Sequence, residues 1–141
     1  MSINRDMAVE KRILLVDDER LVRETIKLLL AQIGFTVVEA NNGAEALGLF
    51  ARERFDLVVT DYEMPFVKGN ELAARIRRIA PLQPILMLTG FGHNANRGNP
   101  VNAVLGKPLN VGRLQEIIRQ LLAERHEDPS EEHLAELNPL N

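Results

Sequence analysis

The chain has 141 residues, 45% of them apolar and 26% charged, which is the balance of an ordinary globular domain able to bury about two-thirds of its surface. It has no cysteine, which excludes disulfides, thiolate metal sites and a cysteine nucleophile; no apolar run approaches the roughly 18–20 residues of a membrane span, Met1–Lys11 lacks a signal-peptide core, and a cytoplasmic protein is expected. Six of the 20 acidic residues but one of the 17 basic residues lie from Glu124 onward, so behind a net charge of -3 the body is nearly neutral and offers no basic field for nucleic acid.

Strand and helix patterns alternate along the chain. Ile13–Val16 is a continuous apolar run closed by Asp17-Asp18, and Val22, Ile26, Leu29, Leu30 and Ile33 then recur at helical spacing with Gly34 as the C-terminal cap. Thr36–Ala40 reads as a second strand, nearer a sheet edge because it carries polar residues. Asn41-Asn42-Gly43 is turn chemistry, and Ala46, Leu47, Phe50 and Ala51 give a second helix. A third strand ends at Asp61, followed by the loop Met64-Pro65-Phe66-Val67-Lys68-Gly69. Leu72, Ala73, Ile76 and Ile79 stripe a third helix that Pro81 stops. Ile85–Leu88 is a fourth strand, ending at Thr89-Gly90.

A fourth helix is expected between Gly90 and Asn102, but three glycines, four asparagines and a proline make that segment poor helix material, mostly loop with a short or irregular turn. Ala103–Gly106 is the fifth strand, Lys107-Pro108 follows it, and Leu114, Ile117, Ile118, Leu121 and Leu122 mark the last helix. Asp128-Pro129-Ser130 breaks the chain, and Glu131–Leu137 reads as acidic tail because an isolated helix that short is marginal. The expected organisation is an N-terminal extension over 1–11, one domain over 12–124 and an acidic tail over 125–141.

Apolar strands without alternation suit a sheet covered on both faces, and their alternation with helices implies a three-layer α/β fold with a parallel sheet. In such sheets ligand chemistry gathers outside the carboxyl ends of the strands. Those ends here carry Asp17, Asp18, Asp61, Thr89 and Lys107. Singly, each has an ordinary explanation in capping, turn or surface chemistry. Together, three carboxylates repel by about 4 kcal/mol per pair at 4 Å, and a hard divalent cation such as magnesium relieves that repulsion. Lys107 and Thr89 suit a phosphoryl group, and a carboxylate can act as the nucleophile on phosphorus.

The ordered set Val16-Asp17-Asp18-Glu19, Thr60-Asp61-Tyr62-Glu63-Met64-Pro65 with Gly69, Leu88-Thr89-Gly90 and Lys107-Pro108-Leu109 resembles the receiver domain of bacterial two-component response regulators, the CheY-like group, over roughly Arg12 to Glu124. The resemblance implies a flavodoxin-like fold with a five-stranded parallel sheet of order 2-1-3-4-5. It implies that Asp61 accepts a phosphoryl group from a histidine of a sensor kinase or phosphotransfer protein. Asp18 and Asp61 would bind Mg2+ through carboxylates, Glu63 through its backbone carbonyl and Asp17 through water. Thr89 would hydrogen-bond the phosphoryl group, Lys107 would pair with it, and the Lys107-Pro108 peptide would be cis.

Two departures from the family stand out. Val104 occupies the place of a bulky, usually aromatic reporter and is expected to be strand core instead. The segment from Thr89 to Lys107 is about one helical turn shorter than usual. Glu63 and Phe91 would flank the water approaching an aspartyl phosphate with opposite effects on its lifetime, and His93 is expected to be a solvated loop residue. The resulting expectation is a single-domain switch rather than an enzyme on a separate substrate. Beyond its own phosphorylation and dephosphorylation it would signal to a protein partner, with no nucleic-acid or membrane contact. Alternatives are a pseudo-receiver, an aspartate-dependent phosphatase (disfavoured because Glu63 stands where a second aspartate is needed) and a flavin-binding module.

Overall fold

Valine, isoleucine and leucine runs with no polar alternation need cover on both sides, and the central strands have it. The computed structural model describes residues 10–90 and 100–126. In chain order the elements are β1 (Arg12–Val16), α1 (Arg20–Ile33), β2 (Thr36–Ala40), α2 (Gly43–Arg52), β3 (Leu57–Asp61), α3 (Gly69–Ile79), β4 (Ile85–Thr89), β5 (Ala103–Gly106) and α4 (Val111–His126). The five strands form one parallel sheet in the order β2-β1-β3-β4-β5, with β2 at an edge as its polar content implied.

Successive strand residues face opposite sides, and the core divides accordingly. Ile13, Leu15, Leu57, Val59, Leu86 and Leu88 pack with Ile26 and Leu30 of α1 and with Leu114, Ile117, Ile118 and Leu121 of α4. Leu14, Val16, Val58 and Ile85 pack with Ala46 and Phe50 of α2 and with Leu72, Ala73 and Ile76 of α3. Helices on both faces of a central sheet give the three layers expected.

The helix ends follow from local chemistry. Gly34 takes φ 120°, and its N–H and that of Phe35 return to the carbonyls of Ala31 and Leu30, closing α1 in a Schellman arrangement. Asn42 caps α2 by accepting from Glu45 N–H at 2.8 Å, while Glu45 Oε1 reaches back to Asn41 N–H at 2.7 Å. At the far end of α3, Arg77 donates to the carbonyls of Pro81, Gln83 and Pro100 and to Asn102 Oδ1, tying the α3–β4 turn to the approach of β5.

One expectation changes. Val104 is half-buried and, among the described residues, belongs to neither core cluster, whereas its neighbour Leu105 on the same strand is buried. The last helix extends to His126. Most of the Gly90–Asn102 segment, with Phe91 and His93, lies outside the described residues, as do the N-terminal extension up to Val9 and the tail from Glu127, including His133.

Candidate functional site

Strand register brings the site together. Val16 pairs with Thr60, so one residue further along Asp17 stands beside Asp61. Asp61 pairs with Leu88 and Thr89 with Gly106, so Thr89 and Lys107 follow at the same end of the sheet. Tyr62 N–H donates to the Leu88 carbonyl and Lys107 N–H to the Thr89 carbonyl, each at 2.8 Å, which extends the ladder through the site.

The carboxylate oxygens of Asp17, Asp18 and Asp61 lie within 4.8 Å of one another. Lys107 Nζ sits 3.1 Å from Asp61 Oδ1 and 3.9 Å from Asp17 Oδ2. Asp17, Asp61 and Thr89 are buried, Asp18 is half-buried, and Lys107 reaches in from the rim. The Lys107-Pro108 peptide is cis.

Asp17 is held on three sides. Its N–H donates to the Ala40 carbonyl at 3.2 Å, its Oδ1 accepts from Glu19 N–H at 2.9 Å, and its carbonyl accepts from Arg23 at 2.8 Å. Its Oδ2 is buried with no hydrogen-bond partner among the described residues. Burial, with Asp61 and Asp18 nearby, pushes the Asp17 carboxyl up to about 6 against the pull of Glu19 N–H and Lys107. Asp61 is raised as well, by burial and by Asp18, with Lys107 and Tyr62 N–H opposing. At that spacing each charged pair repels by about 3 kcal/mol, so the cluster is poorly satisfied by its own side chains. An all-oxygen donor set with a buried carboxylate oxygen that accepts no hydrogen bond among the described residues fits a hard divalent cation such as Mg2+.

Glu63 is not part of this carboxylate cluster. Its side chain is exposed and lies 3.5 Å from Lys68 Nζ, which leaves only its backbone for the role expected of it. Two contributors were not read from the sequence as site residues. A Cβ on Gly69 would stand 2.3 Å from the Asp61 carbonyl oxygen and 2.9 Å from Tyr62 Cα, so only glycine lets α3 start against the acceptor strand. Arg23 is the other; its one sequence signal is Glu39, an acid inside a strand that therefore needs a partner.

A cavity of about 390 Å³ lies at the opposite end of the sheet, against Arg12, Phe50, Glu53, Phe55 and Asp56. Arg12 there pairs with Glu53 and covers the Phe55 ring.

Comparison with known proteins agrees with this geometry. The model of the response regulator receiver domain matches residues 13–119. The response regulator MprA of Mycobacterium leprae is 38% identical over 128 residues, 88% of this chain and 56% of that protein. A protein named "Probable transcriptional regulator ycf27" from Guillardia theta is 34% identical over 140 residues, 96% of this chain and 55% of that protein. The chain thus spans about half the length of these relatives. Among solved structures, the response regulator TrrA of Thermotoga maritima, in complex with Mg2+-BeF, superposes with a TM-score of 0.75 at 36% identity over 79% of this chain and 98% of that one. With the sheet order, the acidic cluster and the matched span in agreement, the chain belongs to the response regulator receiver domain family.

Proposed function

We propose that this receiver accepts a phosphoryl group on Asp61 from a phosphohistidine of a sensor kinase or phosphotransfer protein, in a Mg2+-dependent reaction. The observation that carries the reading is Lys107 Nζ at 3.1 Å from Asp61 Oδ1 beside two further carboxylates. An Asp61 carboxylate oxygen attacks phosphorus, the P–O bond forms as the P–N bond to imidazole breaks, and the imidazole nitrogen keeps the electron pair and takes a proton. Asp17, Asp18, Asp61 and the Glu63 carbonyl would hold the magnesium ion, whose charge offsets that of the phosphoryl oxygens.

Lys107 then exchanges its contact with Asp61 for one with a phosphoryl oxygen, and Thr89 offers its hydroxyl as a donor. Modification replaces the single negative charge of the Asp61 carboxylate with about -1.5 to -2 on the phosphoryl group at neutral pH, which draws these two groups inward and shifts the loops that carry them. A downstream protein reads that shift. No substrate other than the phosphodonor is required, and Glu63, exposed beside Lys68, stands where an aspartate-dependent phosphatase needs a second aspartate.

Incubation with acetyl phosphate tests the reading. Wild type gains one acid-stable, base-labile phosphate only when Mg2+ is present, and Asp61→Asn gains none. Equal labelling of the two proteins would refute the assignment of Asp61.

A further inference from the structure

Arg23 projects from α1, one turn after Glu19, whose carbonyl accepts the Arg23 N–H at 2.9 Å. Its guanidinium makes three contacts at the ends of two strands. Nε donates to Glu39 Oε1 at 2.9 Å, and Nη1 donates to the Asp17 carbonyl at 2.8 Å and to Asn41 Oδ1 at 3.1 Å. The side chain is only 13% exposed, so these bonds meet little competition from water.

The bland explanation is a cross-tie between α1 and β2. That tie already exists without Arg23, because Lys27 Nζ reaches Glu39 Oε2 at 3.0 Å. What Lys27 does not supply is a donor to the Asp17 carbonyl, at the point where β1 runs out of ladder partners. That carbonyl belongs to the planar peptide joining Asp17 to Asp18. With the Asp17 N–H held by the Ala40 carbonyl, a donor on this oxygen restricts the rotation of the peptide that carries both acids.

We propose that Arg23 is a positioning residue for the cation site: through the Asp17 carbonyl it holds the peptide plane between the two acids and so aims both carboxylates. Glu39 aligns the guanidinium in turn, as outer partners align metal ligands elsewhere. The proposal rests on the phosphoacceptor reading above and deepens it.

The test measures the Mg2+ concentration that half-saturates acetyl phosphate labelling, and independently the Mg2+ dependence of emission from Tyr62, the sole tyrosine in a chain without tryptophan. Arg23→Met is expected to raise the half-saturating Mg2+ by about tenfold or more, with labelling restored at saturating Mg2+. Lys27→Met, which removes the other partner of Glu39, should move it less than about twofold, and Arg23→Lys should fall between, since an ammonium cannot span the three acceptors. Should Arg23→Met not fold, Arg23→Lys carries the comparison. Wild-type Mg2+ dependence in a folded Arg23 variant, or an equal loss in Lys27→Met, overturns the positioning role. If wild type itself shows no Mg2+ dependence, the phosphoacceptor reading fails first and takes this one with it.

Discussion

Asparagine at position 17 keeps the side-chain shape and the acceptor for Glu19 N–H while removing a charge from a buried cluster. In the folded, metal-free protein the Asp17 carboxyl is raised from 3.8 to about 6, burial being the largest cause. A carboxyl raised on folding holds its proton more tightly folded than unfolded. Its stabilising contribution is complete below about pH 4 and is lost as pH rises through about 6. The loss amounts to about 3 kcal/mol at neutral pH, an upper figure because Asp61 shares the repulsion. Asp17→Asn should therefore be more stable than wild type by about 2–3 kcal/mol at about pH 8 in chelator, with the gap narrowing toward about pH 4. Urea unfolding of both proteins across that range reads the effect. Mg2+ should close the gap from the other side, because it stabilises the protein that binds it by RT ln(1 + [L]/Kd). Equal stability at the higher pH, or a gap that does not change with pH, would refute the account of the cluster as an electrostatic liability.

Gly69→Ala forces a Cβ against the Asp61 carbonyl, and should lose about 2–3 kcal/mol in urea unfolding while slowing acetyl phosphate labelling; wild-type behaviour in both would contradict the close approach. Arg77→Met removes charged hydrogen bonds to three carbonyls and to Asn102, for an expected loss of about 3 kcal/mol, little of it recovered by lysine; a loss under about 1 kcal/mol would mean the clamp is dispensable. Phe66 is held at φ 69° with its ring 97% exposed, so Phe66→Asn should stabilise the protein by about 1 kcal/mol, and destabilisation would show that the ring has an unrecognised role.

What could be read from the sequence was whatever rests on period and position. The apolar runs of β1, β3 and β4 announce a doubly covered sheet, and their terminal Asp17, Asp61 and Thr89 follow because parallel register carries strand ends to one side. The cis Lys107-Pro108 peptide agrees with the family resemblance. Contacts made to backbone were less visible. Arg77 binds carbonyls as distant as Pro100, and a carbonyl leaves no mark on residue identity. Asn42 reads as turn chemistry but caps a helix, since the same side chain serves both. Val104 looked like core because valine in a strand usually is; on β5 it is half-buried, while Leu105 beside it points into the core.

The charge count of the site bears on how phosphate and cation would depend on each other. Among the described residues, three carboxylates against the Lys107 ammonium leave a balance of two negative charges at the cluster, the number one divalent cation cancels. Phosphorylation replaces the single charge of Asp61 with about -1.5 to -2, so the modified site is the more negative one and should bind the cation more tightly. Linkage then requires the cation to favour the phosphorylated state by the same factor. Beryllium fluoride as a phosphoryl mimic should accordingly lower the Mg2+ concentration needed to saturate Tyr62 emission, and should do so less in Asp18→Asn, where a carboxylate is missing. Unchanged Mg2+ affinity in the presence of the mimic would mean that the charge of the cluster is balanced by groups other than those at the strand ends.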